Sequence, residues 1–283
     1  MNLTDPGFIK ALLAEHGFSF AKSMGQNFLI DAAVPERIAE GCGAGSEDAV
    51  LEIGPGIGTL TKELALRAGR VLSVELDERL RPILRVTLAE YENTRVEFGD
   101  ALKLDLPGLC RAEAPEARWR VCANLPYNVT SPLLTKLLSC GFFESVTVMI
   151  QREVADRICA APGTADYGSL TVMAQVYARP EKLFDVTPDC FMPQPKVTST
   201  VISLVRREEP LVAEEDADWY FKVVRAAFGQ RRKALPNALS AGLQEISKQE
   251  AAEALEAMGL KADIRGERLS PEEFKELAEK LKK

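Results

Sequence analysis

The sequence predicts an α/β fold: a mostly parallel sheet covered by helices on both faces, followed by a small all-helical C-terminal region. Three observations carry this. Short β-branched runs alternate with amphipathic stretches from Ala49 to about Ala160, the pattern of a parallel sheet with crossover helices. The chain has 283 residues, 46% of them hydrophobic, enough for one large domain and a small one. After Glu208 the β-branched runs stop and only helical periodicity remains. The expected division is 1–207 and 208–283.

The elements follow in order. Asp5-Pro6 opens an apolar-periodic stretch to Gly17, a capped short helix. Asp31 is placed to cap a second helix. Strands are expected at Val50–Ile53, Arg70–Glu75, Thr94–Phe98, Arg118–Ala123 and Ser145–Ile150, with helices at Thr59–Ala68, Asp77–Tyr91, Ser131–Cys140 and Arg152–Ala160. The β-branched runs Glu181–Val186 and Val197–Val205 close the sheet. Four helices follow: Asp218–Phe228, Lys233–Ser240, Ser247–Met258 and Ser270–Lys282. Lys280, Lys282 and Lys283 complement the last helix's dipole.

Composition excludes several functions. The single histidine, His16, and six scattered cysteines (Cys42, Cys110, Cys122, Cys140, Cys159, Cys190) leave almost no ligand set for a metal. The cysteines read as buried thiols in a reducing cytosol. No basic start with an apolar run marks a signal peptide, and no apolar stretch reaches the ~20 residues of a membrane span, so a cytoplasmic protein is expected. Net charge is −7, and both halves are acidic. A nonspecific polyanion binder is usually basic, so any nucleic-acid contact rests on local clusters.

Chemistry concentrates at the strand ends. Gly54-Pro55-Gly56-Ile57-Gly58 follows the first strand. Glycines let a ligand approach the backbone, and open α/β sheets bind ligands at the carboxyl ends of their strands. Thr59 stands where a dinucleotide fingerprint needs its third glycine, which disfavours a pyrophosphate loop. Glu75 ends the second strand, placed for ribose hydroxyls, and Gly99-Asp100-Ala101 ends the third, placed for an adenine amino group. Taken in order, these favour S-adenosylmethionine and a Rossmann-like class I methyltransferase fold. After the fourth strand comes Asn124-Leu125-Pro126-Tyr127. The Asn carbonyl and the carbonyl of Leu125 or Pro126 are acceptors for an exocyclic amine, and Tyr127 offers a flat face beside them. That combination suits an adenine N6 taken out of its stack and held against an electrophilic methyl.

With these motifs, the chain resembles the ribosomal RNA adenine N6-dimethyltransferase family, most closely its bacterial small-subunit branch associated with kasugamycin resistance. The resemblance covers nearly the whole chain. It includes Lys22-Ser23-Met24-Gly25-Gln26-Asn27-Phe28-Leu29, the Gly54 loop, Glu75, Gly99-Asp100-Ala101, Asn124-Leu125-Pro126-Tyr127-Asn128, Phe191-Met192-Pro193-Gln194-Pro195-Lys196-Val197-Thr198-Ser199, Phe228-Gly229-Gln230-Arg231-Arg232-Lys233 and Glu267-Arg268-Leu269-Ser270. Arg265-Gly266 departs from the expected pattern in that last loop. The resemblance implies cofactor contacts at Asn27, Leu29, Gly54, Gly56, Glu75, Asp100, Ala101 and Asn124. It implies catalysis at Asn124, Leu125, Pro126 and Tyr127, with Phe191 stacking on the second face of the base. It also implies a target of two adjacent adenosines near the 3′ end of small-subunit RNA, each dimethylated, within the 30S particle.

Lys22, Lys196 and the cluster Arg231-Arg232-Lys233 are the candidate phosphate contacts. The cluster is expected at a helix start, where the dipole disfavours cations. A monomer is expected. Competing readings are an N6-adenine methyltransferase acting on large-subunit RNA or DNA, an assembly factor whose main task is 30S binding, and a small-molecule N-methyltransferase.

Overall fold

The computed structural model of the chain describes residues 1–18 and 26–282. Helix α1 (Pro6–Glu15) starts where the Asp5 carboxylate accepts the Phe8 N–H at 2.6 Å. His16 caps its C-terminal end. Asp31 precedes the next helix, α2 (Ala33–Cys42), and its carboxylate accepts the Ala33 N–H at 2.9 Å, but the cap position expected for it is held by Ala32, whose side chain makes no capping bond. A two-residue strand, β1 (Phe28–Leu29), precedes it.

The central sheet has seven strands. In chain order these are β2 (Asp48–Ile53), β3 (Arg70–Glu75), β4 (Thr94–Phe98), β5 (Arg118–Asn124), β6 (Ser145–Gln151), β7 (Ala178–Val186) and β9 (Ser199–Arg206); the two-residue β8 (Phe191–Met192) pairs instead with β1. The spatial order is β4-β3-β2-β5-β6-β9-β7. Strands β4, β3, β2, β5 and β6 run parallel, and β9 runs antiparallel to β6. Strand β2 is buried along its length, as a parallel strand covered on both faces must be. The chain winds outward from β2 through β3 to β4 and then returns to β5 on the other side of β2. The carboxyl ends of β2 and β5 therefore flank the switch point, where a crevice opens.

Between the strands lie α3 (Thr59–Ala65), α4 (Arg81–Thr87), α5 (Leu106–Glu113), α6 (Thr130–Ser139) and α7 (Arg152–Ile158). One apolar cluster joins Ile38 of α2 and Leu60 and Leu64 of α3 to Val50, Val71 and Met149 of the sheet. Another joins Ile9, Leu12 and Leu13 of α1 to Phe28, Ile57, Ile83 and Leu84. Each such side chain, fully buried, is worth roughly 1.5–3 kcal/mol.

Some expectations need correcting. The helix expected over 59–68 ends at Ala65, and that over 77–91 is a 3₁₀ turn (Glu78–Leu80) followed by α4. Helix α5 was not expected, although Asp105 caps it by accepting the Gly108 N–H at 3.0 Å. Of the cysteines, Cys42, Cys110 and Cys122 are buried, but Cys140 is exposed and Cys159 and Cys190 are half-buried.

The chain divides into two compact units, Met1–Ala155 with Pro180–Arg206, and Asp156–Arg179 with Arg207–Lys283. The second unit thus takes a segment from before residue 208. That segment holds α8 (Ser169–Tyr177), whose Val172 and Val176 share a core with α9 (Glu214–Gly229), α10 (Leu235–Gly242), α11 (Lys248–Ala257) and α12 (Pro271–Leu281). Tyr167 sits in the same core and donates its hydroxyl to the Leu269 carbonyl at 2.7 Å. Capping boxes start α11 and α12: Ser247 with Glu250, and Ser270 with Glu273. No helix among the described residues is long and apolar enough to cross a membrane.

Candidate active site

The ladders of β2, β4 and β5 each run one residue past the strand, and this presents the turns. Gly54 N–H donates to Val74 O at 2.9 Å, Gly99 N–H to Glu75 O at 2.8 Å, and Leu125 N–H to Met149 O at 3.1 Å. A cleft opens at these tips. Asn27, Leu29, Gly54, Gly56, Glu75, Asp100, Ala101 and Asn124 all line it, so the cofactor residues expected from the sequence converge on one space. Leu125, Pro126 and Tyr127 line it too.

The glycine loop is shaped by its neighbours. Gly56 has φ +60°, and a Cβ there would lie 3.2 Å from the Phe28 ring. Gly58 has φ +89° and opens α3, and a Cβ would lie 3.0 Å from Leu88. Both positions need glycine. The Glu75 carboxylate accepts the Gly56 N–H at 3.2 Å and the Asp77 N–H at 2.8 Å, which ties the second strand end to the loop. Burial raises the Glu75 carboxyl against the pull of those bonds. Asp100 accepts the Leu102 N–H at 3.0 Å on one oxygen, and the other lies 3.5 Å from the Lys103 ammonium.

The walls are acidic and apolar. Glu52, Glu75 and Asp100 line the cleft, and among the described residues no lysine, arginine or histidine does. That polarity suits a ligand carrying positive charge and repels a pyrophosphate. Leu76 and Leu102, beside the acids on neighbouring strand ends, are exposed and offer apolar contact to a flat ring. Among the described residues, no group of His, Cys, Asp and Glu could hold a metal ion.

At the end of β5 the local chemistry separates two candidate acceptors. The Pro126 carbonyl takes the Val129 N–H at 3.2 Å and the Thr130 hydroxyl at 3.1 Å, so it is turned toward the start of α6. The Leu125 carbonyl and the Asn124 carboxamide have no hydrogen-bond partner among the described residues. They are the acceptors left at the cleft. Tyr127 is half-buried, and its hydroxyl lies 2.7 Å from Ser199 Oγ.

Two expected residues are placed elsewhere. Phe191 does not line the cleft. Paired with Leu29 across β1 and β8, it joins the core of Ile38, Leu60 and Val201 and is 3% exposed, so it has no free face for a base. Arg231 is bound within the second unit: its Nε lies 3.0 Å from Glu267, and its guanidinium donates to the Ala165 carbonyl. The cluster follows the C-terminal end of α9 rather than opening a helix, where cations are favoured. Arg232 and Lys233 are exposed, with no ion pair among the described residues, as is Lys196 in the turn between β8 and β9. Lys22 lies outside the described residues.

Sequence reasoning missed several participants. Glu52 is 1% exposed; its Oε2 accepts from Thr61 at 2.6 Å and Ser73 at 2.7 Å, and burial pushes its carboxyl up to about 7. An acid inside the apolar run ahead of the glycine loop was the available signal. Lys136 of α6 donates to the carbonyls of Leu102 (2.9 Å) and Leu104 (2.6 Å), holding the turn after β4; nothing in the sequence marks it. Ser199 ends the Phe191 motif, but its partner is 72 residues away.

Residues 17–283 match the family described as "Ribosomal RNA adenine dimethylase". The chain is 46% identical, over 99% of its length and 97% of the relative's, to "Ribosomal RNA small subunit methyltransferase A" of Geobacillus thermodenitrificans. It is 45% identical to the protein of that name in Shouchella clausii, over 99% of this chain and 96% of that one. Among solved structures it is similar to a dimethyladenosine transferase from Plasmodium falciparum, with TM-score 0.75, 26% identity and coverage of 88% of this chain and 95% of that one. It is also similar to the 23S rRNA methyltransferase ErmE, with TM-score 0.69, 31% identity and coverage of 90% and 99%.

Proposed function

Since the chain belongs to the ribosomal RNA adenine dimethylase family, we propose that it methylates N6 of two adjacent adenosines near the 3′ end of small-subunit RNA. The substrate is the RNA within the 30S particle, the donor is S-adenosylmethionine, and the product is N6,N6-dimethyladenosine. The relatives at 45–46% identity over nearly the whole chain carry small-subunit names, which supports this branch over the large-subunit one. A cytoplasmic protein acting on the ribosome follows from that substrate.

The observation that carries the reading is the pair of acceptors without a partner among the described residues, the Asn124 carboxamide and the Leu125 carbonyl, beside an acidic, glycine-looped cleft. The cleft fits the donor. Glu75 suits ribose hydroxyls, Asp100 suits the adenine amino group, and Leu76 and Leu102 suit the adenine faces. The Gly54–Gly56 loop and Asn27 lie where the methionine end would be held. When bound, S-adenosylmethionine supplies an electrophilic methyl on a sulfonium.

This chain's own groups prepare the nucleophile. Adenine N6 is weak because its lone pair is delocalised into the ring. Accepting its two hydrogens at Asn124 and Leu125 localises that pair and stabilises positive charge developing on nitrogen. Pro126 stiffens the corner, and Thr130 ties down its carbonyl, so both acceptors are pre-aimed. Positioning of this kind supplies up to ~7–11 kcal/mol of a barrier. The methylated nitrogen is acidic enough to lose its proton to solvent, so no tuned base is required. Tyr127 stacks on the extruded base, an interaction worth ~1–3 kcal/mol.

The test is tritiated methyl transfer into purified, unmethylated 30S particles, with 50S precursors and duplex DNA alongside, followed by nucleoside analysis. Dimethyladenosine appears in the 30S arm alone. Label in either other arm would favour the large-subunit or DNA reading. Asn124→Ala abolishes transfer while cofactor affinity falls only modestly; full activity in that variant would remove the acceptor role. If the variant still binds 30S particles and stalls their maturation, binding is a task in its own right.

A further inference from the structure

We propose that Ser199 is a positioning residue for the methyl-accepting base, acting through the ring of Tyr127. The segment Phe191–Ser199 then serves the site as a strap instead of by stacking. This rests on the reading that Tyr127 bears on the base.

Both ends of the segment are fastened. At one end, β8 pairs with β1, with Met192 opposite Phe28 and Phe191 opposite Leu29, so it backs the wall that carries Asn27 and Leu29. At the other end, Ser199 opposes Gln151 in the β6–β9 ladder, and the Thr198 carbonyl accepts the Arg152 N–H at 3.0 Å. The backbone of Ser199 is therefore set by the central sheet, not by a loop. Its side chain is fully buried, and Tyr127 is its hydrogen-bond partner at 2.7 Å.

Tyr127 is thereby held at two points. Its backbone lies in the turn closed by Thr130, and its hydroxyl is fixed to the sheet. A ring held only at Cβ would swing, whereas one held at both ends keeps its plane. Ser199 has no access to water, so losing either hydroxyl strands the other buried group. Burial raises the Tyr127 hydroxyl, which keeps it a neutral tether rather than a base. The ring plane sets the base plane, and misplacement by about 1 Å is enough to cost ~10²-fold in rate. The second transfer is the more sensitive one, because the monomethylated amine has a single hydrogen left to align it.

The experiment compares the wild type with Ser199→Ala, Tyr127→Phe and the double variant, using 30S particles and S-adenosylmethionine. Each single variant lowers kcat about 10-fold, leaves KM for S-adenosylmethionine within about 2-fold, and raises the ratio of monomethyl- to dimethyladenosine. The double variant is no worse than either single one, because both remove one shared bond. An unchanged rate and product ratio in Ser199→Ala would overturn the proposal, as would multiplicative defects in the double variant. Should Ser199→Ala fail to fold, Tyr127→Phe decides alone, since that hydroxyl sits on a half-buried side chain. A wild type that labels no adenosine would instead bring down the functional reading.

Discussion

At the scale of single residues, the acids of the cleft do different jobs although all sit at or near strand ends. Glu75 and Asp100 were legible in the sequence because an acid closing an apolar strand has few structural reasons to be there. Glu52 was not, because its partners Thr61 and Ser73 come from other elements. Its native carboxyl is raised to about 7, above its ordinary value, so the folded state holds a proton that the unfolded chain releases. The sign follows: stability falls as pH rises from the unfolded value toward 7 and is flat beyond it. At ~1.36 kcal/mol per unit, the loss is about 3 kcal/mol. Glu52→Gln mimics the protonated acid, so it should match the wild type at pH 5 and exceed it at pH 8. Urea unfolding at both pH values measures this, and parallel responses in the two proteins would reject it. Gly58 makes a second case. At φ +89°, with Leu88 3.0 Å from a would-be Cβ, Gly58→Ala should cost about 2 kcal/mol in the same assay. A change under ~0.5 kcal/mol would show the turn adapts.

At the scale of elements, the parallel strands were legible because burial on both faces writes itself as continuous β-branched runs. Helices α5 and α8 were not. Strand-forming Thr171, Val172 and Val176 in α8 are decided by tertiary packing in the helical core, which overrides weak local propensity. The Phe191 ring was misplaced for a similar reason. A motif gives the residue's identity, but the two-residue ladder with Leu29 decides that the ring turns inward. One bracing contact between elements has a functional consequence. Lys136 on α6 holds the carbonyls of Leu102 and Leu104, so the helix that follows the Asn124 corner also sets the turn that carries Asp100 and Ala101. Lys136→Met should raise KM for S-adenosylmethionine several-fold with kcat largely kept, because the loosened turn lies on the donor side. Steady-state kinetics at saturating 30S separates the two. Loss of kcat at unchanged KM would place the effect on the Asn124 corner instead.

At the scale of the whole molecule, the charge pattern has to be reconciled with an RNA substrate. A chain of net charge −7 gains nothing from its overall field on approaching a polyanion, so contact depends on cations that no acid has claimed. The sequence showed the Arg231-Arg232-Lys233 cluster but not its internal division of labour, because Glu267 and Ala165 are distant in the chain. It also placed the change of character near residue 208, without the returning segment Asp156–Arg179 that the helical core claims. From the division within the cluster comes a test with opposite outcomes for adjacent residues. Arg231 braces the helical unit, so Arg231→Ala should lower stability by up to about 1 kcal/mol while leaving the salt dependence of 30S binding unchanged. Arg232 and Lys233 have no such tie among the described residues. Replacing each with alanine should weaken binding regardless of sequence and reduce the slope of log K against log salt by up to about 1 per residue removed, with little effect on the melting point. Binding titrations between 50 and 200 mM salt, with thermal melts of the same preparations, read both quantities. If Arg231→Ala flattens the slope as much as its neighbours do, the brace is incidental and all three cations meet phosphate. If none of the three changes it, the RNA surface lies elsewhere on the chain.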